Sequence, residues 1–425
     1  MAPNPAIIKA VERLDYRVTV GDVATQAGLK IEQASQGLLA LASEAQGHLQ
    51  VADDGEIVYL FPRNFRDILR NKYLQLQLQD WWNKVWGVLF YIIRLSFGIF
   101  LIISIALIYM AIIVIISSQN SDDDNGGGYR GGGFPLFFPD IFWYLSPGYG
   151  TYNQRDIPNR HKEKKELNFL EAVFSFLFGD GNPNPRLEER RFREIAGVIR
   201  KHDGAVVAEQ IAPFLDDLGE AYKREDEDYM LPVLTRFNGQ PQVSPEGQIV
   251  YYFPELQVSA AEYETRSTSN YLQKNLWKFS RASSDQKFLS AGLGIVNIVG
   301  AFILANLNVA SAGGFVGFVK GISGLLLAYG IGFLAVPLIR NFWIQMRNNK
   351  IRQGNQQRIK RANLLKNPDM ELQQKISFSR QFATQKIISQ DDLIYSTQKD
   401  LLEQEVENSA KTDAEWERRL KEGNG

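Results

Sequence analysis

At 425 residues the chain is long enough for two or three folded units. Its 47 Lys and Arg against 48 Asp and Glu leave a net charge of −1, so no global field draws it to a polyanion. It has no cysteine, which excludes disulfides, a thiolate nucleophile and thiolate-ligated zinc or iron–sulfur clusters. His48, His161 and His202 are too scattered for a zinc site. Mean hydropathy is negative, so any membrane part is a minority.

Residues 1–66 read as one small domain. The opening Met1-Ala-Pro-Asn-Pro5 leads into an amphipathic segment without an apolar h-region. This predicts no secretory signal and an N-terminal part that stays on the side of synthesis. Ile7, Ile8, Val11 and Leu14 fall at helical spacing. Thr19 starts a second helix that stops at Gly28, and Ile31–Ala45 makes a third. Leu49 to Val51, a turn at Asp54-Gly55, and Ile57–Phe61 then form a hairpin. That order resembles a winged-helix domain.

Residues 67–117 hold a connecting helix and a first membrane span. Leu95 to Ile116 carries no charge, and 22 residues at helical rise cover about 33 Å, against about 30 Å of hydrocarbon. Trp81, Trp82 and Trp86 suit an interfacial belt, and Arg94 can snorkel to headgroups. Residues 118–166 form a Gly-rich, aromatic linker in which Phe134–Leu145 is expected to lie in the interface or re-enter the bilayer.

Residues 167–256 combine an amphipathic helix, Leu167–Phe178, with a second copy of the first domain. Gly247-Gln-Ile-Val-Tyr-Tyr-Phe-Pro254 nearly repeats Gly55-Glu-Ile-Val-Tyr-Leu-Phe-Pro62, and the likeness extends upstream, from Ala6–Ala24 to Glu194–Ala212. The second copy inserts an acidic stretch, Lys223 to Asp228. The turn cluster Gly179–Pro185 lacks both a phosphate-loop ending and calcium-loop spacing, so it is assigned no ligand.

A connecting segment, 257–287, leads into 288–339, read as a transmembrane helical hairpin of Phe288–Asn306 and Phe315–Ile339. Lysines and arginines flank its outer ends, which predicts both feet in the cytoplasm. Gly317 and Gly321 make a close-packing step suited to a homo-oligomer. Asn297, Asn306 and Lys320 are polar at membrane depth, and are read as helix–helix bonds and snorkelling before a conduction path. In 340–425 a polybasic stretch comes first: 340–366 holds eight Lys or Arg and no acid, which points to anionic headgroups and a cytoplasmic tail. After Pro368 the pattern reads helical and acidic, docked on the body of the protein.

The expected fold is therefore α+β, mainly α: a membrane protein with two winged-helix-like domains, one single span and a transmembrane hairpin. DNA binding fits poorly. Residues 1–62 hold four basic and eight acidic residues, residues 186–254 nine and thirteen, and Ile31–Ala45 has no Lys or Arg. No acid pair, base or ligand set forms a catalytic, cofactor or metal site, so a non-enzymatic role with protein partners and no nucleic acid is expected.

Phe169-Leu-Glu-Ala-Val-Phe-Ser-Phe-Leu-Phe-Gly-Asp-Gly181 and Gly204-Ala-Val-Val-Ala-Glu-Gln-Ile-Ala-Pro213 resemble a family of cyanobacterial and chloroplast membrane proteins. The resemblance implies a photosynthetic source and a thylakoid or plasma membrane location. Some plant members carry a label suggesting iron–sulfur cluster biosynthesis; with no cysteine here, that label is not carried over. The leading expectation is a protein that presents two acidic modules for assembly or maintenance of a membrane complex. The alternatives are an oligomeric transporter or channel subunit on the Gly-rich hairpin, or a membrane-tethered transcription regulator. One span between the modules would put them in opposite compartments unless the chain crosses again between 118 and 287.

Overall fold

A computed structural model describes residues 4–72, 74–119, 167–216, 218, 227–262, 269–307, 314–406, 409 and 416. In chain order the elements are α1 (Pro5–Arg13), β1 (Arg17–Val18), α2 (Val20–Ala27), α3 (Ile31–Glu44), β2 (His48–Ala52), β3 (Ile57–Leu60), α4 (Phe65–Lys72) and α5 (Leu74–Gln119). Then come α6 (Phe169–Phe178), α7 (Leu187–Lys201), β4 (Ala205–Val206), α8 (Ala208–Ile211), α9 (Leu231–Phe237), β5 (Gln240–Val243), β6 (Ile249–Tyr252), α10 (Pro254–Gln257) and β7 (Val258–Ser259). The last are α11 (Ser284–Asn306), α12 (Gly314–Gly321), α13 (Ser323–Leu364), α14 (Met370–Ser379), β8 (Lys386–Ile387) and β9 (Leu393–Ser396). The chain is mainly helical with short strands, and it divides into two compact units. The linker expected to hold Phe134–Leu145 and most of the acidic insert lie outside the described residues.

The first unit gathers 1–80, 184–275 and 351–425. Local chemistry sets its elements. Asn4 caps α1 by accepting from the Ala6 N–H, with Pro5 in the first turn where its missing donor costs nothing. Thr19 and Asp22 form a reciprocal capping box on α2. The stretches 5–60 and 187–252 show the same strand arrangement. β3 lies between β1 and β2 as β6 lies between β4 and β5. Tyr59 faces Leu49 in the first pair and Tyr251 faces Pro241 in the second. Both hairpins turn on a glycine with positive φ, Gly55 at +87° and Gly247 at +85°, where a side chain would be strained. The two stretches share one core. Val11, Leu38 and Leu41 from the first join Ile195, Ile199 and Phe237 from the second, with Phe65 and Phe253 just beyond each hairpin.

The tail differs from its expected all-helical form. After α14, β8 pairs parallel with β7, and β9 pairs antiparallel with β2, so the first sheet has four strands. The alternation in Leu393-Ile-Tyr-Ser396 suits a strand, but the partner edge lies some 340 residues upstream, beyond any local pattern.

The second unit gathers 81–183 and 276–350. Among the described residues three helical segments are long and apolar enough to cross a membrane: Lys84–Ser117 within α5, Ser284–Asn306 and Ser323–Leu364. The expected second arm of the hairpin is in fact two helices. α12 ends at Gly321, and α13 runs on through the polybasic stretch to Leu364, with Pro337 inside it. Backbones approach closely in the bundle. A methyl on Gly330 would stand 2.7 Å from Asn297 Oδ1, and one on Gly300 2.8 Å from Ile108. The apolar helix α6 has both ends tied to the head of α11. The Leu167 carbonyl accepts from Gln286 at 2.8 Å, and Asp180, just past the other end, accepts from the Arg281 N–H at 2.7 Å. The buried face of α6 meets Leu101, Ile105, Leu293 and Phe333.

Candidate docking surfaces and polar clusters

In the first unit some of the charged residues fall into clusters that hold the fold together. Asp22, on the first turn of α2, is 1% exposed. It accepts from the Thr19 N–H at 2.9 Å, Ser259 Oγ at 2.9 Å and the Ala260 N–H at 3.0 Å, and pairs with Arg200 of α7 at 2.8 Å. One carboxylate thus binds α2, α7 and the strand after the second hairpin. A methyl on neighbouring Gly21 would stand 1.9 Å from the Glu255 carbonyl, so only glycine allows α2 to sit against α10.

Asp216 gathers three cations. Lys274 lies at 2.5 Å, Arg358 at 2.6 Å, and Arg191 completes the set. Burial pushes the Asp216 carboxyl up, but Lys274, Arg191 and Arg358 together hold it below the usual aspartate range. In a third cluster, buried Lys375 of α14 bonds both oxygens of Glu209 at 3.1 Å and also bonds Glu227. Tyr251 donates to Glu227 at 2.7 Å, and burial followed by that carboxylate raises the phenol.

The third helix of each stretch is where a nucleic-acid reader would present cations. The exposed positions of α3 are Glu32, Gln33, Gln36, Leu39, Ala40 and Ser43. The one base in α9, Arg236, donates to the Gly28 carbonyl at 2.7 and 3.0 Å and lies 3.9 Å over the Phe192 ring. Its charge is spent inside the unit.

The membrane-depth residues singled out in the sequence have separate surroundings. Asn297 is fully buried and bonds Ser104 across helices, Asn306 bonds the Phe302 carbonyl of its own helix, and Lys320 bonds the Leu307 carbonyl at the end of α11. Gly321 faces open space and Gly317 is half-buried. Of the polybasic stretch, Arg358 and Arg361 are buried in the first unit; Arg361 donates to the Ala212 carbonyl at 3.3 Å. Arg340 donates to the Phe176 carbonyl at 2.8 Å, at the end of α6. These three are thus bound within the protein, and the Arg347 guanidinium lies over the Trp277 and Trp343 rings. His48 Nδ1 lies 3.5 Å from Thr397 and His202 3.3 Å from Gln210; His161 lies outside the described residues. Among the described residues no three His, Cys, Asp or Glu are grouped to hold a metal.

Sequence reading missed Asp22, Asp216 and Lys375. Thr19-x-x-Asp22 was legible as a cap, but its further partners at 200, 259 and 260 had no local signal.

These features define a mainly helical protein with, among the described residues, three segments long and apolar enough to cross a membrane, and a separate helix–strand unit. The chain is 40% identical to a chloroplastic protein of Arabidopsis thaliana described as uncharacterised, over 97% of this chain and 81% of the relative, and it belongs to the family of that protein. No family model matches it, and no solved structure matches.

Proposed function

We propose that the protein is a non-enzymatic scaffold of the thylakoid membrane, or of the plasma membrane of a photosynthetic cell, that presents a duplicated pair of winged-helix-like modules to protein partners. Assembly or maintenance of a membrane complex is the role this fits. The observation that carries the reading is the condition of the two would-be recognition helices: the exposed face of α3 has no cation, and the only base of α9 is bound to Gly28 and Phe192. A module that reads nucleic acid needs cations there.

The shared core supports a topology as well. Segments from before and after the first span share one apolar core, the tail pairs with the first sheet through β9, and a single folded unit does not straddle a bilayer. On this reading both modules and the C-terminal tail lie on one face, the cytoplasmic or stromal one that the basic flanks favour, and the chain crosses the membrane once more between 118 and 287. A flux function has less support, since Lys320 and Asn297 are engaged in helix–helix bonds. The test is cross-linking in intact membranes followed by mild-detergent purification. A defined partner linked through 1–66 or 186–254 is expected; a bare monomer in intact membranes would sink the scaffold reading. Tags at residue 1 and residue 425 should share the same protease accessibility.

A further inference from the structure

Asn348 of α13 is 9% exposed and grips the backbone of Trp277 from both sides. Its Oδ1 accepts from the Trp277 N–H at 2.8 Å, and its Nδ2 donates to the Trp277 carbonyl at 2.9 Å. This fixes the Trp277 indole against Trp343, edge to face, with ring centres 5.7 Å apart. The Arg347 guanidinium lies over both rings, 4.9 Å from Trp277 and 4.7 Å from Trp343. Arg347 is exposed, and among the described residues no acid pairs with it. Lys278, beside Trp277, and Lys350, one turn beyond Arg347, are exposed and also lack an acid partner among the described residues. Residues 269–287 and 314–350 together hold one acid, Asp285.

Depth matters as much as charge. Arg340 closes the uncharged run 321–339. Side chains on a helix lean toward its N terminus, and the Arg347 head lies back over Trp343, three residues past Arg340. That is about 5 Å along the axis. The layer outside the hydrocarbon is about 5–8 Å deep on each side. Phe342 and Met346, 72% and 52% exposed, flank the site on the same turns as an apolar rim. A guanidinium held over aromatic rings keeps N–H donors for an oxyanion, and its planar fork loses less entropy on binding.

Resting on the membrane reading above, we propose that Trp277, Trp343 and Arg347 form a binding site for the phosphate of an anionic lipid headgroup, with Lys278 and Lys350 as flanking cations. This is a fixed site for one headgroup and differs from diffuse attraction along 340–366.

The test uses the full chain in mild detergent, with native mass spectrometry against phosphatidylglycerol and phosphatidylcholine. Wild type is expected to retain phosphatidylglycerol in preference. Loss of one charge-assisted contact in Arg347→Gln should weaken that retention by about ten- to a hundredfold. Arg347→Lys keeps the charge without the planar stack and should fall between. Lys366→Gln, an exposed charge outside the site, should match wild type. Retention of phosphatidylglycerol by Arg347→Gln at the wild-type level would overturn the site. So would equal binding of phosphatidylcholine, or full displacement by millimolar inorganic phosphate, which would point to a free anion as the ligand. An alkaline carbonate wash separates the two claims: release of the protein from membranes defeats the membrane reading, whereas a retained protein with lipid binding insensitive to Arg347 defeats the site alone.

Discussion

Removing the Asp22 carboxylate should loosen the whole first unit, and the size of the effect follows from its partners. Two backbone N–H groups, one hydroxyl and one guanidinium converge on it. Asp22→Ala strands all four, and each unsatisfied buried donor costs about 1–3 kcal/mol. Arg200 keeps 17% of its side chain exposed and can recover some hydration, so the sum falls to about 4–6 kcal/mol, still within the total stability of many domains. Asp22→Asn keeps the shape but turns an amide N–H₂ toward other donors, and should cost about 2–3 kcal/mol. Thermal unfolding of the detergent-solubilised full chain, followed by tryptic cleavage within 1–66, reads the effect. At about 2–4 °C per kcal/mol the alanine variant should unfold at least about 8 °C lower. A double-mutant cycle with Arg200→Met isolates the ion pair and should give about 1.5–3 kcal/mol of coupling. A cost under about 1 kcal/mol for Asp22→Ala, or no coupling in the cycle, would refute the assignment of Asp22 as the joint of the unit.

Lys375→Met should leave Glu209 and Glu227 facing each other without a cation, detach α14 and speed proteolysis between 384 and 392 at neutral pH; unchanged cleavage rates would count against the cluster as a tail anchor. Gly330→Leu should force α13 off Asn297 and Ile298 and lower the melting temperature of the bundle by several degrees, whereas Gly332→Leu, which faces open space, should have little effect; equal effects on melting would contradict this packing. His202 is lowered by burial first and by Lys201 and Arg380 next, so the folded state disfavours its protonation. The unfolded chain binds that proton near the ordinary value of 6.5, so stability is complete above that pH and declines as pH falls below it toward the lowered folded value. His202→Gln should flatten the slope of melting temperature against pH between about 6.5 and 5; an unchanged slope would exclude His202 as its source.

What was legible in the sequence was local. Leu95–Ile116 advertises a span because 22 uncharged residues leave no polar face. Thr19, Gly28 and Asp54-Gly55 mark their caps and turn because those roles depend on one residue and its immediate neighbours. The joints were illegible because their partners are remote: Asp22 meets Ser259, Arg358 meets Asp216, and β9 meets β2. The polybasic stretch shows the same limit. Eight cations in one stretch look equivalent in sequence, yet Arg358 and Arg361 are buried structural groups while Arg347 lies over two indoles. The boundary of α13 was misplaced for a related reason: neither Pro337 nor the change from apolar to basic composition ends a helix that has tertiary support.

The two similar sheets differ at their open edges, and the difference bears on what a partner can reach. In the first, the Leu49 N–H donates to Thr397 Oγ1 at 2.9 Å and the Leu49 carbonyl accepts from the Thr397 N–H at 2.9 Å, so the tail closes that edge. The matching position in the second sheet, opposite Tyr251 as Leu49 is opposite Tyr59, is Pro241, which has no N–H to offer. One edge is covered and the other blunted, so strand addition is disfavoured at both. The outward face of α3 remains, with Leu39 56% exposed among Gln33, Gln36, Ala40 and Ser43, all neutral. On the scaffold reading, a partner helix with an apolar stripe meets that face at Leu39. Leu39→Glu leaves the core intact because the side chain points to solvent, and it should abolish cross-linking through 1–66 while leaving the melting temperature within about 2 °C of wild type. Cross-linking that survives Leu39→Glu but is lost on deletion of 393–406 would move the partner from α3 to the tail strand.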